Sequence, residues 1–283
     1  MTQFELRDLS PAFGTEVVGF VPGELDEASA EVLRGAFDER GLLVFRDLDI
    51  DRPGQTALID ELIRYHRPSP DPMAGRDMLV SNKEPEAYAP YGRLMFHSDM
   101  MWHPEPFQVL SLYGVEVEQP AVGTAFASTA NAWATLPADL KARVEHLHAE
   151  HITGQVYSRG GEDLLIPERE KPVATVMPLA YTHPRTGKTL LYVSQQMTAR
   201  IVEIDDPEES EALLQELFAH LYGEANTFEH SWRTGDLVAW DNLAVQHSRG
   251  PVQKDGPART LRKVVSPIPV IAGSAETPKF AST

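Results

Sequence analysis

Apolar positions recur along this chain with two periods, one helical and one strand-like. Between residues 26 and 64 the helical period dominates. Val32, Leu33, Ala36 and Phe37 share a face behind Asp26, a good N-cap, and Gly41 supplies a stop, which predicts a helix over 26–40. A second helix is predicted over 53–64, with Leu58, Ile59, Leu62 and Ile63 on its apolar side. The run Leu42–Phe45 between them predicts a short buried strand. Residues 66–95 break the rhythm. Five prolines there (68, 70, 72, 85 and 90) predict one long loop, with room for a short strand at Met78–Ser81.

Beyond residue 106 the period shortens to two. Strands are predicted over 107–117, 124–129, 236–240 and 259–265, and a hairpin over 175–181 and 189–193 around the turn 184–187. A helix is expected over 135–147, with Pro137 in its first turn. Another begins at Asp206-Pro207-Glu208-Glu209 and buries Leu213, Leu214, Leu217, Phe218 and Leu221. Short strands with a few inserted helices favour a mainly β sandwich or jelly roll over a βαβ repeat. The 283 residues are read as one domain, 1–283, with 66–95 as its substrate loop.

Composition narrows the chemistry. The chain has no cysteine, so thiolate nucleophiles, Fe–S clusters and Cys-bound zinc are out, and any metal must sit on His and carboxylate. The net charge of −17 argues against nucleic acid and anionic membrane as general partners. It is uneven, because the segment 247–283 holds six basic residues against two acidic ones. Residues 1–10 do not look like a secretion signal, and a cytoplasmic protein acting on a small molecule is expected.

Two His and one carboxylate on one face of a metal often begin as His-x-Asp/Glu. About one or two such triplets are expected by chance in a chain of this composition, and three occur. His148 and Glu150 fall at a predicted helix end and read as surface; His103 and Glu105 flank Pro104 and read as loop. His97 and Asp99 lie between Phe96 and Met100-Met101-Trp102, where strand alternation would aim both the same way. On spacing alone they read equally as ligands or as a His–Asp pair in a half-buried strand. His247 leads into the basic segment, twelve residues before Arg259.

These residues resemble those of the taurine dioxygenase (TauD/TfdA-like) family of Fe(II)- and 2-oxoglutarate-dependent dioxygenases. The resemblance rests on His97-x-Asp99, then Thr124, then the stretch from Trp240-Asp241-Asn242 to Gln246-His247, then Arg259, with the 183–202 region matching in order; it runs from about Gly41 to Val265. It implies a double-stranded β-helix, or jelly roll, with His97, Asp99 and His247 as Fe(II) ligands. Thr124 and Arg259 would hold 2-oxoglutarate, and O2 would be the oxidant. The implied reaction is hydroxylation of an unactivated C–H bond, with release of succinate and CO2. Desaturation, cyclisation or epoxidation on the same iron, and a non-catalytic jelly-roll binding protein, are the alternatives. Halogenation is disfavoured, because related halogenases lack the carboxylate supplied here by Asp99.

The substrate positions depart from the taurine enzyme. Lys263 stands where that enzyme holds its sulfonate with an arginine; Arg93 replaces a small polar residue, and Met197 an aromatic one. His66 aligns loosely with a substrate-contacting histidine. Met95, Met100, Met101, Trp102 and Met197 are expected to cluster around the approach to the iron. A larger substrate with an anionic or amino-acid-like handle is therefore expected in place of taurine. Members of the family are often dimers or tetramers, so a homo-oligomer stays open.

Overall fold

The computed structural model describes residues 3–67, 78–160 and 172–267. Its N-terminal half runs β1 (Glu5–Asp8), β2 (Thr15–Val18), α1 (Glu27–Arg40), β3 (Leu42–Phe45), α2 (Arg52–Leu62), β4 (Met78–Ser81), β5 (Gly92–His97), β6 (Val109–Val117), β7 (Thr124–Ser128), α3 (Thr129–Thr135) and α4 (Ala138–Val144). Then follow β8 (His148–Ile152), β9 (Ala174–Pro178), β10 (Ala180–Thr182), β11 (Thr189–Leu191), β12 (Thr198–Ile201), α5 (Pro207–Leu221), β13 (Thr227–His230), β14 (Leu237–Asp241), β15 (Val245–Val252) and β16 (Arg259–Ser266).

A seven-stranded sheet in the order β1-β2-β3-β14-β6-β16-β4 faces a four-stranded sheet in the order β13-β7-β15-β5. The two enclose an interior of Leu42, Val44, Leu110, Leu112, Val238, Trp240 and Leu261 from the large sheet and Phe126 and Val245 from the small one. This is the expected jelly roll. Alternation explains why its strands read as continuous apolar runs. In β3, Leu42 and Val44 face this interior, while Leu43 and Phe45 face α1 and α2 on the outer side with Leu33, Phe37, Leu58 and Ile59. The small sheet's outer face is covered by α3, α4 and α5.

The capping signals hold. Asp26 accepts from Ser29 N at the start of α1, and Gly41 ends it in the left-handed region at φ 70°. Asp206 accepts from Glu208 N and Glu209 N, and the five apolar residues expected on α5 are all buried.

Three expectations are corrected. The helix expected over 135–147 is shorter, α4 alone, with Pro137 at its N-cap, and the separate short helix α3 ahead of it was not expected. Leu136, forced by the following Pro137 out of the helical region, adopts φ −59° and ψ 130° between them. His148 and Glu150 lie on a strand, β8, although they are surface residues as expected, paired with Glu203 and Arg200. The loop expected over 66–95 ends earlier, where β5 begins at Gly92, while the short strand allowed for within it at Met78–Ser81 is present as β4; residues 68–77 lie outside the described residues.

Candidate metal centre

His97 is the last residue of β5, and His247 stands directly opposite it on β15. Their rings lie 4.2 Å apart, centroid to centroid. Asp99 completes the group, and one donor atom from each residue lies within 4.8 Å of the other two. The Asp99 Oδ1 atom is 3.3 Å from His97 Nε2 and 3.7 Å from His247 Nε2. Two imidazole nitrogens therefore converge on one carboxylate oxygen.

The route to this convergence differs from the expected pleat. β5 stops at His97, and Asp99 sits in a turn whose next residue, Met100, has a positive φ of 59°. That conformation is costly for a non-glycine residue and needs support from its surroundings. Asn242, fully buried after β14, supplies it. Its Oδ1 accepts from Asp99 N at 2.9 Å, and its Nδ2 donates to the carbonyls of Asp99 and Phe107, both at 2.9 Å. One side chain thus imitates a strand neighbour for a residue that has left its sheet.

Neighbours also set the electronic state of the donors. His97 Nδ1 donates to the Met95 carbonyl at 2.8 Å, because a carbonyl can only accept; in the neutral ring this leaves the lone pair on Nε2. Burial, reinforced by His97 and Lys263, holds the His247 pKa well below the usual imidazole value, so this ring is neutral. Burial would raise the Asp99 pKa, but the charge of Lys263 opposes it, and the carboxyl stays well below the usual carboxylate range. Lys263, on β16, donates directly to Asp99 Oδ2. Its ammonium stands in for a cation at the carboxylate. The donor set, with two neutral-capable imidazoles and an ionised carboxylate, fits a divalent first-row metal with further positions left open.

A second group lies beside the first. Arg259 opens β16 and is buried; its Nη2 donates to Thr124 Oγ1 at 3.1 Å and its Nε to the Val122 carbonyl at 2.9 Å. The Thr124 hydroxyl also accepts from Trp232 Nε1 at 2.9 Å, which fixes its position. No carboxylate pairs with Arg259 among the described residues. Burial, and then the charge of Arg249, lower its pKa to about 9. A buried guanidinium without a counterion is a ready carboxylate receptor.

The other expected substrate residues scatter. Arg93 and Met95 lie on β5 with His97, but the pairing with β15 slips by one residue between Leu94 and His97, so Leu94 rather than Arg93 shares the register face of His97. Met100 joins the interior between the two sheets, whereas Met101 and Met197 pack in a separate cluster with Leu190, Tyr192 and Leu243; Trp102 touches both. The five residues thus do not form the single cluster expected. His66 is exposed in the coil after α2, with no contact to the metal group among the described residues. A surface cavity of about 420 Å³, lined by Asp38, Asn131, Trp133, Lys188 and others, includes none of the three metal-group residues.

Sequence reasoning quoted Asn242 without seeing its role, which depends on a partner 143 positions away. It missed Arg249 altogether. The available signal was its position two residues beyond His247 in a strand.

Residues 5–265 match the family described as taurine catabolism dioxygenase TauD, TfdA family. An (S)-phenoxypropionate/alpha-ketoglutarate-dioxygenase of Sphingobium herbicidovorans is 32% identical over 274 residues, covering 88% of this chain and 90% of that protein. A pentalenolactone F synthase of Streptomyces avermitilis is 29% identical over 285 residues, covering 90% and 91%. Among solved structures, AAD-2 in complex with Mn(II) and N-oxalylglycine superposes with a TM-score of 0.74 at 26% identity, covering 94% of this chain and 97% of that one.

Proposed function

Because the chain belongs to the TauD, TfdA family and is an Fe(II)- and 2-oxoglutarate-dependent dioxygenase of small molecules, we propose that it hydroxylates a C–H bond in a small carboxylate with an apolar body. In this reading His97, Asp99 and His247 hold the iron, Arg259 and Thr124 take the distal carboxylate of 2-oxoglutarate, and Lys263, with Arg93, faces the substrate's carboxylate. The observation that carries it is the convergence of both Nε2 atoms on Asp99 beside an uncompensated buried guanidinium.

Bound iron would supply O2 activation coupled to oxidative decarboxylation of 2-oxoglutarate. The chain's own residues do the rest. The Asn242 clamp and the Met95 carbonyl orient two ligands before metal arrives. Arg259 offers a fork that matches a carboxylate in two-point contact. A metal dication on the ligands would replace the charge that Lys263 now gives Asp99, leaving that ammonium to pair with a substrate anion. Trp102, set against the interior and the Met101–Met197 cluster, offers apolar surface for the substrate's body. His66 and Met197 are the remaining substrate-side candidates.

The relative that acts on a phenoxypropionate supports an aryloxy or similar carboxylate as substrate class. The similarity to a pentalenolactone F synthase supports a second reading, an oxidation within a biosynthetic sequence that ends in something other than hydroxylation. A cytoplasmic site of action accords with the acidic, cysteine-free composition, and no described helix is long and apolar enough to cross a membrane. The test is a panel of aryloxyalkanoates, taurine and terpenoid carboxylates scored by succinate release and product mass. Substrate-dependent succinate with a gain of one oxygen from a carboxylate supports the reading. Taurine alone driving fast turnover, or no succinate from any substrate, contradicts it.

A further inference from the structure

Near Arg259 and Thr124 the jelly roll holds a second buried cation. Arg249 lies two residues beyond His247 on β15, directly opposite Thr124 of β7, and Thr124 is the residue whose hydroxyl accepts from Arg259. Like Arg259, Arg249 is buried and has no carboxylate partner among the described residues. Two guanidinium groups about one threonine, away from water and without a counterion, repel each other. Such an arrangement is costly unless an anion offsets it.

Arg249 is also tied to the chain before β5. Its Nη1 donates to the Ala89 carbonyl at 2.7 Å, and its Nη2 to the Tyr91 and Gly92 carbonyls at 2.9 and 3.0 Å. Positive φ values at Ala89 (43°) and Gly92 (77°) turn the backbone there. The other end of this segment is fastened to Arg259. Asn82 Oδ1 accepts from Arg259 N at 3.0 Å, and Asn82 Nδ2 donates to the Gln253 and Pro257 carbonyls, both at 3.0 Å. Residues 82–92 therefore form a strap whose two ends are held by the two arginine-bearing strands. The strap leads straight into Arg93 and His97.

We propose that Arg249 is a specificity and positioning residue of the cosubstrate pocket: with Arg259 it selects a 2-oxo acid bearing a distal carboxylate, and it transmits that occupancy through residues 82–92 to the strand carrying Arg93 and His97. The proposal rests on the assignment of Arg259 and Thr124 to 2-oxoglutarate. Arg249 acts through its charge on the distal carboxylate and through its grip on three carbonyls. These two actions are separable, since lysine keeps the charge and loses the fork.

The test titrates Mn(II)-loaded wild type, Arg249→Gln and Arg249→Lys calorimetrically with 2-oxoglutarate and with pyruvate, a 2-oxo acid lacking the distal carboxylate. Arg249→Gln is expected to weaken 2-oxoglutarate at least tenfold while pyruvate changes by less than about twofold. Arg249→Lys should bring 2-oxoglutarate back to within about threefold of wild type. Unchanged 2-oxoglutarate binding in Arg249→Gln, or equal loss toward both acids, overturns the proposal. Amide hydrogen exchange on the wild type gives a readout independent of any variant's folding. 2-Oxoglutarate, but not pyruvate, should slow exchange across residues 83–92, and an identical response to both overturns the coupling. Wild type that binds no 2-oxoglutarate would instead contradict the cosubstrate assignment itself.

Discussion

Replacing Asn242 with alanine removes three hydrogen bonds and leaves Asp99 N–H and the carbonyls of Asp99 and Phe107 without them. A hydrogen bond contributes about 1 kcal/mol net, and a buried polar group left unsatisfied costs about 1–3 kcal/mol. Partial relaxation and water entry bring the expected loss of stability to about 2–4 kcal/mol, read by urea unfolding at pH 7.5. The larger consequence is local. Asp99 stands beside a residue at φ 59° and outside the strand that carries His97, so its carboxylate depends on the clamp for its position. Removing a group that orients a metal ligand typically lowers metal affinity about 10–100-fold. Calorimetric Mn(II) titration of folded Asn242→Ala should show a loss in that range. Asn242→Asp should do no better, because it puts a second oxygen where two carbonyls need a donor. If either variant loses stability but keeps its Mn(II) affinity within about twofold, the clamp does not position Asp99 and the reasoning is wrong.

Lys263→Met deprives Asp99 of its cation, so the metal-free protein should melt lower; metal then binds without a competing ammonium, and Mn(II) affinity should rise about tenfold, or ~1.4 kcal/mol. An unchanged melting response to Mn(II) would count against that competition. Arg259→Lys keeps charge but loses the fork, so the KM for 2-oxoglutarate should rise at least tenfold while Mn(II) affinity stays near wild type; succinate release against 2-oxoglutarate concentration reads the first, and calorimetry the second. His151 is fully buried, and burial lowers its pKa to about 3. As pH falls below the ordinary value of about 6.5, the unfolded chain takes up the proton first, so stability is lost between about pH 6.5 and 3, amounting to about 2 kcal/mol by pH 5. Unfolding free energies at pH 7.5 and 5.0 should differ less in His151→Gln by about that amount, and equal pH slopes would refute the assignment.

Local signals carried the sequence reading furthest. β3 appears as Leu42–Phe45 because four consecutive apolar residues can be buried only where both sheet faces are covered. Asp26, Gly41 and Asp206 set helix ends through bonds within a few residues. The metal group was legible as a set of residue types, but its geometry was not. Alternation would have put Asp99 on β5, whereas the chain leaves the sheet after His97 and is caught by Asn242, a contact that no local pattern encodes. Pro137 marked the start of α4, whereas the short α3 just before it went unread. Arg249 escaped notice because a lone arginine says nothing until the fold sets it opposite Thr124.

The account's central claim is that His97, Asp99 and His247 hold iron in reach of a 2-oxoglutarate bound by Arg259. Anaerobic addition of Fe(II) and then 2-oxoglutarate to the purified protein tests it most directly, followed by visible absorbance. A weak metal-to-ligand charge-transfer band that requires both additions, is absent in His247→Ala, and needs far more 2-oxoglutarate in Arg259→Lys is the expected result. Absence of the band in wild type, or its survival in His247→Ala, would contradict the claim.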